Sequence, residues 1–165
     1  MSASDSSLTA VYEAIEKTLN EFLLGYEKAT AHNDTSYLST TLTPDCKRRF
    51  LPESFLKSQG APGDFATDNK TYEEMFSKHL PVHATHKTEI KNVTIDAWKK
   101  KAAATTVFHC KYSDGEPLLM EFGWFLSFTD DGTKVNEVWE VIDSMEAPKF
   151  EEKSKRLLEE LEAKK

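Results

Sequence analysis

The hydrophobic pattern of this chain changes period once, near His86: apolar residues recur at helical spacing before it and alternate with polar ones after it. Leu8, Val11, Tyr12, Ile15, Leu19, Phe22, Leu23 and Tyr26 share one helical face, with Glu13, Glu16, Lys17 and Glu21 between them. The spacing predicts one long amphipathic helix over 7–32, behind a flexible start at 1–7. Ser6 or Ser7 can accept from its first free N–H groups, and Asn33-Asp34 supplies a stop and a cap for a short second helix through Tyr37, Leu38 and Leu42. Thr43-Pro44-Asp45 reads as a turn, Cys46 to Leu51 as a short strand, and Pro52 as its end. The Gly- and Pro-rich stretch around 58–68 reads as a loop or lid. A third helix carries Tyr72, Met75, Phe76, His79 and Leu80, and Pro81 ends it.

From His86 the alternation predicts strands at about 86–98, 102–113, 117–129 and 133–143. Lys99-Lys100-Lys101, Ser113-Asp114-Gly115 and Asp131-Gly132 are their turns; Asp-Gly between alternating runs is a strong hairpin signal. Consecutive hairpins imply an antiparallel meander. The tail, 146–165, places Phe150, Leu157, Leu158 and Leu161 on one face and pairs acids with bases at i, i+4, so it reads as a charged helix that needs a docking surface. The class is α+β, in a single domain spanning 1–165.

Composition narrows the partners. The 165 residues, 39% hydrophobic and 11% aromatic, suffice for one core and one pocket. A net charge of −7 argues against nucleic acid and against an anionic membrane surface, both of which need a concentrated basic face. The N-terminus lacks the basic and apolar regions of a signal peptide, and no apolar run is long enough to span a bilayer. The expected location is therefore cytoplasmic, with Cys46 and Cys110 reduced and buried.

The order long helix, short helix, strand, helix, meander resembles the cone-shaped fold of the nuclear transport factor 2-like (NTF2-like) superfamily. Two stretches look like its SnoaL-like polyketide cyclase and isomerase branch: His83-Ala84-Thr85-His86 entering a strand, and Glu137-Val138-Trp139-Glu140-Val141-Ile142-Asp143-Ser144 as the closing strand. Thr43-Pro44-Asp45-Cys46 and Leu51-Pro52-Glu53-Ser54 resemble small fungal isomerases of polyketide and terpenoid pathways. The resemblance implies a curved sheet covered by the long helix, a homodimer through the outer sheet face, and isomerase, cyclase or dehydratase (lyase) chemistry without metal or organic cofactor. Scytalone dehydratase is a further relative by pattern, but the aspartate of its first helix has no counterpart beside Tyr26, Glu27 and Thr30.

Acids in the last two strands stand where a core disfavours them, and a carboxyl against an apolar wall gains basicity by desolvation. The resemblance matches the branch's acid/base aspartate to Asp143; the alternative is a strand-end aspartate capping a turn. His109 and His86 are the candidate partners. Glu121 is either a pocket acid or an outward residue on the dimer face. Alternation puts Val135, Glu137, Trp139, Val141 and Asp143 on one face and Asn136, Val138, Glu140 and Ile142 on the other, without deciding which is inside. Tyr26, Tyr72, His79, Trp124, Trp139 and Glu140 are the candidate substrate-binding residues. His79, His83 and His86 have metal-like spacing, but Pro81 interrupts them, so no metal site is expected; His83 reads as an exposed loop residue. The expected function is acid/base catalysis on a small apolar metabolite of polyketide or terpenoid type. The alternative is a non-catalytic ligand-binding or protein-interaction module.

Overall fold

The structure is a computed structural model that describes residues 3–164. Helix α1 (Ala3–Leu23) begins before Ser6 and Ser7, so neither serine caps it, and α2 (Gly25–His32) continues it after a single break at Leu24. The long helix is thus two, although Leu24 still donates to Asn20 O and accepts from Lys28 N. The chain then runs through a 3-10 helix (Thr35–Leu38), β1 (Leu42–Leu51), α3 (Glu53–Ser58), β2 (Ala66–Thr67) and α4 (Asn69–Ser77). Strands β3 (His83–Asp96), β4 (Lys101–Tyr112), β5 (Pro117–Phe128) and β6 (Val135–Val141) follow, and α5 (Ala147–Glu162) ends the chain.

Strand order is β2-β1-β6-β5-β4-β3. The meander from β3 to β6 is antiparallel as expected, while β1 joins β6 in parallel. That pairing brings residues of β1 beside the closing strand. Thr43-Pro44-Asp45 lies within β1 rather than in a turn: β2 pairs only at Arg48 and Arg49, so Pro44 sits where no partner needs its missing N–H. The expected second helix stops at Leu38, because Leu42 is already sheet. Sequence periodicity does not show α3, which has only two turns' worth of residues, begins after Pro52 and carries Glu53 in its first turn.

Inner positions of the sheet are apolar and buried: Ala104 and Phe108 on β4, Met120 and Trp124 on β5, Val138 on β6. Helix α1 covers them with Ile15, Leu19, Phe22 and Leu23, all buried. Cys46 and Cys110 are free and buried. The outer face leaves Leu119 and Phe125 exposed. Among the described residues no helix is long and apolar enough to cross a membrane.

The β5–β6 turn is anchored to α1. Thr18 Oγ1 donates to Gly132 O at 2.9 Å, and Gly132 has φ +75°. A Cβ there would lie 2.8 Å from Ile15 Cγ1 and 3.0 Å from Val11 O, so the glycine is required both by conformation and by the approach of the helix. Gly132→Ala is expected to cost about 2–4 kcal/mol, the sum of a left-handed alanine and an overpacked contact. Gly115→Ala, with φ +92° and open space around it, should cost about 1–2 kcal/mol. Urea unfolding of both variants checks the difference.

Candidate active site

A cavity of about 620 Å³ opens between the sheet, α3, α4 and α5. Its wall is mostly aromatic and aliphatic, including Phe50, Phe65, Phe76, Phe108 and Phe122. Two carboxylates interrupt that wall, Glu140 and Glu151. Glu140, on β6, faces inward and is 5% exposed.

Arg48 on β1 is the partner that allows a buried carboxylate there. It is 3% exposed, and its Nη1 donates to Glu140 Oε2 at 2.9 Å and to Tyr26 OH at 2.8 Å. Tyr26 OH lies 2.8 Å from Tyr72 OH, and Tyr72 OH donates to Glu140 Oε2 at 3.4 Å. With Tyr72 donating onward, Tyr26 must donate to Tyr72, so the four groups form a directed ring from Arg48 through both tyrosines to Glu140. The Arg48 guanidinium also lies 3.7 Å from the centroid of the Tyr72 ring, a cation–π contact in a desolvated setting.

The ring sets the charges. Burial opposes the Arg48 charge, but the oxygens of Tyr26, Tyr72 and Glu140 outweigh it and keep the guanidinium protonated. Burial, with Glu140 adding to it, holds the Tyr72 hydroxyl well above the ordinary phenol range. Burial likewise raises Tyr26, so both hydroxyls are neutral donors. Burial also lifts the Glu140 carboxyl above the ordinary glutamate range, against the pull of Arg48. Every hydrogen bond to Glu140 uses Oε2; among the described residues Oε1 takes none. Arg48 Nη2 is buried without an acceptor.

A second polar group stands on the α4–β3 and α5 side. His79 Nε2 lies 3.3 Å from Glu151 Oε1, and that bond holds the Glu151 carboxyl below its ordinary range. His83, the first residue of β3, is buried between Phe76 and Phe150, and its Nδ1 lies 3.2 Å from the backbone carbonyl of His79. Burial pushes the His83 imidazole down to about 4, so it is neutral at pH 7. Among the described residues no three His, Cys, Asp or Glu side chains converge as a metal-binding group.

No known family model matches the chain. It is 31% identical over 144 residues to the monooxygenase nsrS of Aspergillus novofumigatus, covering 86% of this chain and 88% of that protein. It is 31% identical over 129 residues to the monooxygenase dmxR10 of a Cryptosporiopsis species, covering 77% and 78%. In fold it superposes on the BvnE pinacolase of Penicillium brevicompactum with a TM-score of 0.68 at 18% identity, over 86% of this chain and 91% of that one. PrhC of Penicillium brasilianum gives 0.66 at 16%, over 85% and 87%. A putative polyketide cyclase of Xanthomonas campestris gives 0.57 at 13%, over 82% and 95%. The chain belongs to the same family as these fungal monooxygenases, and its fold is that of the SnoaL-like, nuclear transport factor 2-like proteins.

Within this SnoaL-like cone, four of the residues singled out from the sequence, Tyr26, Tyr72, His79 and Glu140, line the cavity. The four residues assigned to catalysis do not. β6 ends at Val141, so the alternation never reaches Asp143; its Oδ1 instead accepts from Met145 N and Glu146 N at the start of α5. His109 points to the outer face, where its Nε2 meets Glu89 Oε1 at 2.9 Å, a carboxylate also held by Lys87 and Lys91. His86 is exposed beside it, with ring centroids 6.5 Å apart, at a slip in register between Thr85 and Lys87. Glu121 is exposed on the outer face of β5. Trp139 is also outside, under the Arg49 guanidinium at 5.5 Å. Trp124 is inside but sealed in the core, its indole N–H already given to Thr106 Oγ1 at 2.9 Å.

Arg48, His83 and Glu151 are the residues that pattern reading missed. Arg48 carried a signal: it stands between Cys46 and Phe50 on the same face of a strand, and an inward arginine there demands a carboxylate. His83 was expected in a loop because the strand begins three residues earlier than its alternation suggests. The stretch around 58–68 contributes Gln59, Ala61 and Phe65 to the cavity wall.

Two measurements follow from these charges. Arg48→Met leaves Glu140 buried without its cation and should cost about 3–5 kcal/mol, whereas Arg48→Met with Glu140→Leu should recover most of that loss; chemical denaturation compares the two. His83 is neutral when folded down to about pH 4 but takes a proton from about pH 6.5 downward when unfolded. Stability is therefore full above about pH 6.5 and falls as the pH drops toward 4, by up to about 3 kcal/mol from this residue. Denaturation curves across that window should flatten in His83→Gln.

Proposed function

We propose that the chain is an enzyme that moves protons on a small, largely apolar metabolite of polyketide or terpenoid type. Glu140 is the base, and the observation that carries this reading is its Oε1, free of hydrogen bonds within an apolar cavity while Oε2 is held by Arg48 and Tyr72. Burial that strengthens the carboxylate as a base, and a fixed orientation, are what proton abstraction from carbon or from a phenol needs.

The charges balance through the step. At rest Arg48 and Glu140 neutralise each other. When a substrate C–H proton passes to Oε1, the electron pair stays on the substrate as an enolate, and Glu140 becomes neutral. The positive charge of Arg48, held behind the wall beside the Tyr72 ring, is then no longer neutralised by Glu140 and stabilises the new anion through space. Returning the proton to a different carbon completes an isomerisation or ring closure. Expelling a hydroxyl with that proton as water completes a dehydration. Retaining a buried ion pair, which apolar residues could replace with little loss of stability, is consistent with such a role.

The monooxygenase names of the relatives at 31% identity support a second outcome for the same anion. A carbanion can give electrons to dioxygen; converting one substrate methylene to a carbonyl and releasing water balances atoms and electrons without an external reductant. In either case the partner is a small molecule. The outer sheet face with Leu119 and Phe125 is the surface proposed for homodimer contact.

The test uses 2-tetralone, whose methylene lies between an aryl ring and a carbonyl. Deuterium exchange at that carbon, followed by NMR in D2O, should be accelerated by the protein and fall by about 10²–10⁴-fold in Glu140→Gln, with a smaller loss in Tyr72→Phe. Oxygen uptake in the same reaction separates oxygenation from simple tautomerisation. Equal exchange in wild type and Glu140→Gln removes Glu140 as the base, and binding without exchange supports the ligand-binding module instead.

A further inference from the structure

The histidine side of the cavity has no part in the proton transfer assigned to Glu140, yet it is built with the same features. His83 is 8% exposed and lines the cavity. Its Nδ1 lies 3.2 Å from the carbonyl of His79, an atom that can only accept, so Nδ1 carries the hydrogen. A neutral imidazole protonated on Nδ1 has a bare lone pair on Nε2. Among the described residues nothing donates to that nitrogen. The ring cannot turn away easily, because Phe76 and Phe150 meet it edge to face at 5.7 and 5.0 Å.

His79 fixes this tautomer and is itself fixed. Its backbone carbonyl takes the His83 proton, its Nε2 is held by Glu151 of α5, and its Nδ1 is buried with no partner. The last helix therefore contributes directly to the lining, with the polar Glu151 and the apolar Phe150, and is not only a cover. Helix α5 is docked by buried Phe150 and Leu157 and by Lys153, which pairs with Asp114 at 3.0 Å and with Glu116.

We propose that His83 Nε2 is a second recognition point, which accepts a hydrogen bond from a hydroxyl group of the substrate. The proposal rests on reading the cavity as the substrate site. It narrows the substrate class to a ring-bearing molecule with an alcohol or phenol distinct from the carbon that faces Glu140. A buried acceptor discriminates sharply: a ligand without the hydroxyl leaves the nitrogen desolvated and unpaired, and a ligand with a methoxy group adds an acceptor against an acceptor. His83 is then a specificity-determining residue, its tautomer fixed by the backbone carbonyl of His79.

The experiment measures binding rather than turnover. Affinities of 2-naphthol and 2-methoxynaphthalene are compared by calorimetry at pH 7.5 with the full chain. Wild type is expected to prefer 2-naphthol by about 5–30-fold, the range of one hydrogen bond to a buried neutral acceptor. His83→Phe should remove that preference while leaving the affinity for 2-methoxynaphthalene within about twofold. His83→Gln, whose amide oxygen restores an acceptor, should bring part of it back and gives the answer if the phenylalanine variant folds poorly. In the Glu140→Gln background His83→Phe should still remove the preference, which separates the histidine from the carboxylate as the acceptor. Absence of a preference in wild type, or a preference that survives in His83→Phe and His83→Gln alike but disappears in Glu140→Gln, overturns the proposal. Failure of the base assignment looks different: proton exchange persists in Glu140→Gln while the hydroxyl preference still depends on His83.

Discussion

The ion pair between Arg48 and Glu140 is the constraint around which the rest of this cone is arranged. Two full charges beneath a helix cost several kilocalories per mole to desolvate, and only close geometry with every remaining hydrogen placed makes them tolerable. The parallel pairing of β1 with β6 supplies the closeness, since Arg48 and Glu140 are separated by 92 positions along the chain yet meet at 2.9 Å. Tyr26 from α2 and Tyr72 from α4 supply the extra partners. The first helices are thus tied to the sheet by a polar contact as well as by Ile15, Leu19 and Phe22. With Oε2 held by Arg48 and Tyr72, Oε1 is the oxygen that Glu140 leaves to the cavity.

Much of the fold was legible in the pattern of apolar positions. Four long strands with three turn signals, preceded by helices, leave few arrangements other than a meander covered by the first helix, and the resemblance to the superfamily rested on that order. The details that failed were set by contacts remote in sequence. Pro44 is strand because its edge happens to be unpaired there, and Leu24 breaks the long helix without any proline to announce it. α3 is too short for a period to be seen.

The site was legible only in part, for a reason that lies in strand geometry. Alternation groups residues on faces but does not say which face is inside, and the closing strand offered an acid on each. Glu140 and Tyr72 fell on the inner side; His109, Glu121 and Trp139 fell on the outer. Asp143 was misjudged by strand length, since its carboxyl serves α5 as soon as pairing stops at Val141. Arg48 could have decided the question, because a charge between buried Cys46 and Phe50 points to the face where its counter-ion must be.

The cavity divides its labour between two kinds of backbone. The Arg48–Glu140 pair and its two tyrosines stand on β1, β6 and the helices packed over them, whereas much of the remaining lining comes from segments outside the meander, Phe55 to Phe65 and Ala147 to Glu151. Surface segments tolerate insertion and exchange far better than a paired strand does. The shape of the cavity can therefore be altered on those segments with little effect on the paired strands that hold Arg48 and Glu140 together.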